Sequence, residues 1–261
     1  MRALKIIFGI AAVAFLLLPI VAILPLAFTD SVFLNYPIPG FSLRWFDQLA
    51  SGAWQRSIIN SLIIGGGATV VSVVLGTLAA LGLAGSALPF AGLFRTVFLL
   101  PMVVPAVVLG VGLQISLARI GLSSTYVGVI VSHSVLCIPF VIVSVSTALA
   151  GIDRTSLRAA ASLGANPFTV FRRVTMPLAA PGIVTGAVFA FATSLDEVVL
   201  TLFVAGPNQR TLARQMFSSI RENISPAVAA AAFLLILGTL LLAGLAALLR
   251  WRQERSLAAK V

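Results

Sequence analysis

Six apolar stretches, each long enough to cross a bilayer, constrain this chain more than any other feature. A membrane-spanning helix needs about 20 mostly apolar residues. Such runs fall near Ile6–Phe28, Ser57–Ala84, Thr96–Ala118, Thr125–Leu149, Ala179–Val204 and Ala227–Leu249. Of the 261 residues, 60% are hydrophobic and only 9% charged, and the mean hydropathy is +1.12. A soluble domain carries roughly 25% charged residues and 45–50% apolar ones. The composition therefore argues against a soluble enzyme, a nucleic-acid-binding module and a disordered chain. The expected fold class is an all-α integral membrane protein, with residues 1–261 forming one membrane domain of six transmembrane helices.

The net charge of +10 is read by position, because Lys and Arg orient membrane chains. With the N-terminus inside, the inner segments hold Arg2, Lys5, Arg95, Arg154, Arg158, Arg172, Arg173, Arg250, Arg252, Arg255 and Lys260. These 11 stand against six outside, Arg44, Arg56, Arg119, Arg210, Arg214 and Arg221. Both termini are expected in the cytoplasm. Trp45 and Trp54 then fall in the outer loop and Trp251 at the inner boundary, the places where interfacial tryptophans sit. The first apolar run exceeds the 7–15-residue core of a secretory signal and is read as a retained helix.

Two polar segments are sizeable: an outer loop from Thr29 to about Arg56, and an inner loop from Ala150 to about Leu178. Gly65-Gly66-Gly67 lacks the lysine of a phosphate-binding loop and lies inside an apolar run, so it reads as close helix packing. The single histidine and single cysteine, His133 and Cys137, share a helix face but make a poor metal set without carboxylates. Interhelical hydrogen bonding is the simpler role for His133, as for Asn60 and Ser61. No catalytic, cofactor or metal site is expected in this chain.

The inner loop reads as two short helices joined by a turn. Asp153 or Thr155 can cap the first, whose Leu157, Ala160, Ala161 and Leu163 form an apolar stripe. Gly164 suits a helix C-terminus, Pro167 a helix start, and Pro177 is expected to close the second helix. Such a segment is either an amphipathic connector on the membrane surface or a docking element for a partner protein.

Arg158-Ala159-Ala160, three residues, Gly164, nine residues, then Val174-Thr-Met-Pro177 resembles the "EAA" loop of the permease subunits of bacterial ABC importers. Arg158 stands where that pattern has glutamate. Leu100-Pro101-Met-Val-Val-Pro105 resembles the paired-proline segment of the same family. Ser194 to Pro207 and Thr211 to Pro226 are similar to its spermidine/putrescine branch. The resemblance implies the type I importer fold and an inner-membrane location. It also implies a second permease (a similar chain or a copy of itself), two ATPase subunits that bind ATP and Mg, and an extracytoplasmic solute-binding protein. Arg158, Ala159, Ala160, Gly164, Ala165 and Pro177 would form the ATPase-coupling loop.

Asp196 and Glu197 are adjacent carboxylates about two-thirds of the way out along the fifth run. A mid-membrane charge costs about 2.5–3.5 kcal/mol on insertion scales, so such groups usually face a cavity or a partner. On a continuous helix the two would point about 100° apart. Either one meets a cationic solute in the pathway, or one pairs with an arginine such as Arg210 or Arg214, or the acids are simply exposed at the interface. Pro101 and Pro105 favour a bend in the third run, in the pathway or in plain packing; Pro139 offers another in the fourth. The implied solute is a polyamine, with an opine, an amino acid or another amine as alternatives. A membrane enzyme and an ion-coupled secondary transporter remain as rivals from other classes; the first lacks a metal set and its paired acids Asp196 and Glu197 diverge, and the second leaves the loop motif unexplained.

Overall fold

The computed structural model describes residues 2–85, 89–153, 155, 158, 160 and 162–258, and the side chains among them except those of 3 and 249–258. Arg154, Leu157, Ala159, Ala161 and Lys260 lie outside the described residues, as do the side chains of Arg250, Trp251, Arg252 and Arg255. The described chain is α-helical and forms no strand among these residues. Its helices are α1 (Arg2–Ile23), α2 (Arg44–Leu49), α3 (Gly52–Ala84), α4 (Ala91–Leu99), α5 (Ala106–Arg119) and α6 (Tyr126–Ala150). These are followed by α7 (Pro167–Val170), α8 (Met176–Asp196), α9 (Val199–Val204), α10 (Leu212–Glu222) and α11 (Pro226–Ala258). A single π-helical turn, Phe171–Thr175, joins α7 to α8.

Five of these helical runs are long and apolar enough to cross a membrane: Leu4–Phe28, Gly52–Ala84, Tyr126–Ala150, Pro167–Asp196 and Pro226–Leu248. The third apolar run of the sequence is two helices. The α4 stretch and α5 meet at 99° across a break, and together they supply the sixth crossing when counted as one span. Pro101 opens a turn of 3-10 helix, Leu100–Met102, and Pro105 is the N-cap of α5. Each ring removes a backbone donor, and two of them four residues apart deny the helix the bonds that would carry it straight. Pro139, by contrast, lies inside an α6 that continues from Tyr126 to Ala150.

The chain divides into two compact units. One comprises Met1–Ile58 and Gln215–Thr239. In it the outer loop folds onto its own aromatic core: the Phe28 ring lies 5.2 Å from those of Phe41, Phe46 and Phe233. Trp45 and Trp54 are buried among protein side chains. The Trp45 indole N–H donates to the Thr29 carbonyl at 2.8 Å, which satisfies the one polar atom that would otherwise hold the ring at the water boundary.

The other unit comprises Ile59–Arg214 and Leu240–Val261. Here α6 packs along α8 through small residues, as membrane helices do when they lack a hydrophobic force to join them. A Cβ on Gly182 would stand 2.5 Å from the Ala148 Cβ and 2.8 Å from the Ser144 carbonyl oxygen. The triple glycine serves the same end: Gly65 lies against Phe191 and Gly67 against Ile130. Asn60 is spent on structure too. Its amide donates to the carbonyls of Asn208 and Arg210 at 2.8 and 2.9 Å, and its oxygen accepts from the Tyr126 hydroxyl at 2.7 Å. Ser61 Oγ accepts from the Leu212 N–H at 2.8 Å.

Candidate functional site

The inner loop has the turn its residues call for. Asp153 caps the first helical segment, its carboxylate accepting from the Thr155 N–H at 2.9 Å and from the Thr155 hydroxyl. These two bonds hold its pKa below the ordinary carboxylate value. Thr155, Arg158, Ala160 and Ser162 are helical. Gly164 ends the segment at φ +82°, a left-handed conformation that costs a residue with a Cβ roughly 1–2 kcal/mol. The N–H of Ala165 then donates to the Ala160 carbonyl at 3.2 Å, the six-to-one closure of a glycine-terminated helix. Asn166 caps α7 by accepting from the Thr169 N–H at 2.7 Å, with Pro167 in the first helical turn.

Arg158, Leu163 and Phe168 are exposed along this segment, Leu163 at 88% and Phe168 at 68%. A cavity of about 620 Å³ lies at its root, lined by Leu81, Arg95, Ser146, Leu149, Phe171 and Thr175 among others.

Pro177 does not close the second helix. It sits in the first turn of α8, and the helix runs on from Pro167 to Asp196. The wide π turn just before it gives the pyrrolidine ring room and absorbs the missing N–H. The loop residues and the paired carboxylates therefore stand at opposite ends of one 30-residue helical run.

At the far end the fifth apolar run breaks, where the sequence suggested continuity. Asp196 is the last residue of α8, and Glu197 adopts extended backbone at φ −75° and ψ 115°. Asp196 is exposed and Glu197 half-buried. The two carboxylates do part, because the helix ends between them and not because of its periodicity. Glu197 Oε1 accepts from the Leu200 N–H at 2.7 Å, so this carboxylate caps α9. Arg214 caps the other end, its guanidinium donating to the carbonyls of Thr201 and Ala205 at 3.1 and 2.8 Å. Arg214, one of the two arginines put forward as ion-pair partners for the acids, serves a helix terminus.

The helices that follow the two breaks pack together. Helix α9 packs against α5, where a Cβ on Gly110 would stand 2.7 Å from the Phe203 ring. His133 and Cys137 are fully buried and turn to separate partners. The His133 ring bonds Ser194 and Thr201, and Cys137 Sγ donates to the Ala190 carbonyl at 3.2 Å. Among the described residues no three His, Cys, Asp or Glu side chains gather as a metal site. The interhelical hydrogen bonding expected of His133 is present; sequence reasoning missed the break at Glu197 and the caps on α9. No glycine or proline marks that break.

Residues 72–255 match the family model described as "Binding-protein-dependent transport system inner membrane component". The spermidine/putrescine transport system permease protein PotC of Escherichia coli is 29% identical over 237 residues, covering 90% of this chain and 89% of that one. The putrescine transport system permease protein PotI of Escherichia coli is 32% identical over 206 residues, covering 76% and 73%. The molybdenum transport system permease protein ModB of Mycobacterium bovis is also 32% identical, covering 92% and 91%. Among solved structures, a bacterial ABC transporter that imports the acidic polysaccharide alginate superposes with a TM-score of 0.68 at 15% identity, over 90% and 91% of the two chains. The MetNI methionine ABC transporter in an inward-facing conformation gives 0.57 at 21% identity, over 85% and 100%. This chain belongs to the binding-protein-dependent transport system inner membrane components and is a permease subunit of an ABC importer, the class that leaves ATP hydrolysis to other subunits.

Proposed function

We propose that this permease admits a polyamine such as spermidine or putrescine, with the Asp196 carboxylate as its cation-recognising group. The observation that carries the reading is the position of that carboxylate: exposed, on the last residue of α8. A helix C-terminus already carries about half a negative charge, so a carboxylate there is poorly placed unless a cation visits. Glu197 is committed to the N–H of Leu200 and leaves Asp196 as the open acid. PotC and PotI, relatives over most of their length, point to the same class of solute.

The mechanism follows from the helical run that carries this acid. A binding protein delivers the solute to the outer face of this subunit and a second permease, and two ATPases dock at the inner loop. Arg158, Ala159, Ala160, Gly164 and Ala165 form the docking surface, with Pro177 in the first turn of the helix they drive. Closure of the ATPases on ATP and Mg shifts that surface, and the bends at Pro101 and Pro105 take part in opening and closing the path. Asp196 binds the solute weakly and differently in the two states, which is all that alternating access requires. Both termini lie in the cytoplasm.

The identity to ModB supports a second reading, in which the solute contains molybdenum. Proteoliposomes holding the assembled importer, its binding protein and internal-side ATP decide the matter. Labelled spermidine is expected to enter only with ATP, and at least tenfold more slowly for Asp196→Asn. ATP hydrolysis without spermidine entry overturns the solute assignment, and entry of labelled molybdate selects the second reading. Gly164→Asp is expected to abolish co-purification of the ATPase; retention of a fully coupled ATPase by that variant overturns the docking role.

A further inference from the structure

From Ser194 to Thr201 the sequence contains neither glycine nor proline, and Leu195, Glu197 and Leu200 are good helix formers. No strong helix breaker therefore separates α8 from α9, although Ser194, Asp196, Val198, Val199 and Thr201 are weaker helix formers. The chain nevertheless stops at Asp196 and resumes at Val199, so contacts from elsewhere hold the break. Glu197 and Arg214 bond only the α9 side. His133 bonds both sides. Its Nδ1 lies 2.7 Å from the hydroxyl of Ser194, in the last turn of α8, and its Nε2 lies 3.1 Å from that of Thr201 in α9. The ring is fully buried.

The donors along this line can be assigned. The Thr201 hydroxyl has one proton, which it donates to the Glu197 carbonyl at 3.2 Å. Its oxygen must therefore accept from His133 Nε2–H, which leaves Nδ1 bare to accept from the Ser194 hydroxyl. A neutral imidazole in this one tautomer satisfies every partner. It ties the last turn of α8, through α9, to the carbonyl of the one extended residue between them.

We propose that His133 is a positioning residue, a clasp from α6 that keeps the fifth span broken at Glu197 and thereby sets where Asp196 stands. Without it, Ser194 returns its hydroxyl to a carbonyl of its own helix, Thr201 loses its tie to α6, and the span closes into one continuous helix. The consequence for transport rests on the reading of Asp196 as the solute contact; the consequence for the break does not.

The test is hydrogen exchange of residues 194–201 in the assembled importer in nanodiscs, with His133→Leu against wild type. Exchange at Glu197, Val198 and Val199 is expected to slow at least tenfold as these amides enter a helix. Unchanged or faster exchange overturns the clasp. With spermidine-loaded binding protein as probe, half-saturation of ATPase stimulation is expected to rise about tenfold while the maximal rate stays within twofold. His133→Gln, which keeps a donor for Thr201, is expected to recover part of both changes. Should His133→Leu fail to assemble, Ser194→Ala and Thr201→Val each remove one bond of the clasp, and each should slow exchange by a smaller factor. Slowed exchange with an unmoved half-saturation upholds the clasp and overturns the role of Asp196.

Discussion

Glu197 and Arg214 close the two ends of the same six-residue helix. The carboxylate accepts from the Leu200 N–H at 2.7 Å, and the guanidinium donates to the carbonyls of Thr201 and Ala205 at 3.1 and 2.8 Å. A helix this short has almost every backbone group at an end, and within a membrane protein water is a poor substitute partner. Each charge also faces the helix end of opposite sign.

Removing either cap is expected to destabilise the protein. Arg214→Met should cost about 1.5–3 kcal/mol, the range for hydrogen bonds to charged groups. Glu197→Gln, which keeps an acceptor, should cost less than half as much. Melting curves of the purified importer check both, and an Arg214→Met protein as stable as wild type would show that the guanidinium caps nothing in the membrane.

Helices α6 and α8 approach closely at Gly182, where a methyl would meet Ala148 and the Ser144 carbonyl. Gly182→Ala is expected to lower stability by about 1–3 kcal/mol, as overpacking does. Adding Ala148→Gly should recover only part of it, because the carbonyl contact at 2.8 Å remains. Full recovery would mean that the backbone yields.

Asn60 and Tyr126 pin the loop that carries Asn208 and Arg210. Asn60→Leu strips two carbonyls of their donor and should cost about 1–3 kcal/mol, against about 1 kcal/mol for Tyr126→Phe. Trypsin cleavage after Arg210 reads the same event and should quicken in that order. Equal rates in wild type and both variants would assign the loop's order to other contacts.

The cap at Asp153 makes a prediction about pH. Its carboxyl is held below the ordinary value of 3.8 by its bonds from Thr155, so the cap is complete above that value and is lost as pH falls through the lower folded one. The amide resonance of Thr155 in labelled protein should stay flat from pH 7 to about pH 4 and move only below that. Movement near pH 6 would mean that another group controls the turn.

Much of this was legible in the residues because some signals accumulate over many positions. A run of twenty apolar residues needs no neighbour to declare itself, and Gly164 with Pro167 and Asn166 spells out its own turn. The end of α8 at Asp196 carries no such mark, since it depends on His133 some sixty positions earlier and on Arg214 beyond α9. Pro177 misled for the opposite reason. A proline ordinarily ends a helix, and only the π turn at Phe171–Thr175 lets this one continue. Trp45 was read by residue type, whereas its burial depends on a fold of the outer loop that no periodicity announces.

The π turn has a mechanical consequence. By carrying the chain past Pro177 it makes one beam of Pro167–Asp196, about 45 Å long at 1.5 Å per residue. Force applied at Phe168 travels to Asp196 along one unbroken backbone, with no relay of side chains to assemble between them, and the π turn and Pro181 are the points where that run can bend.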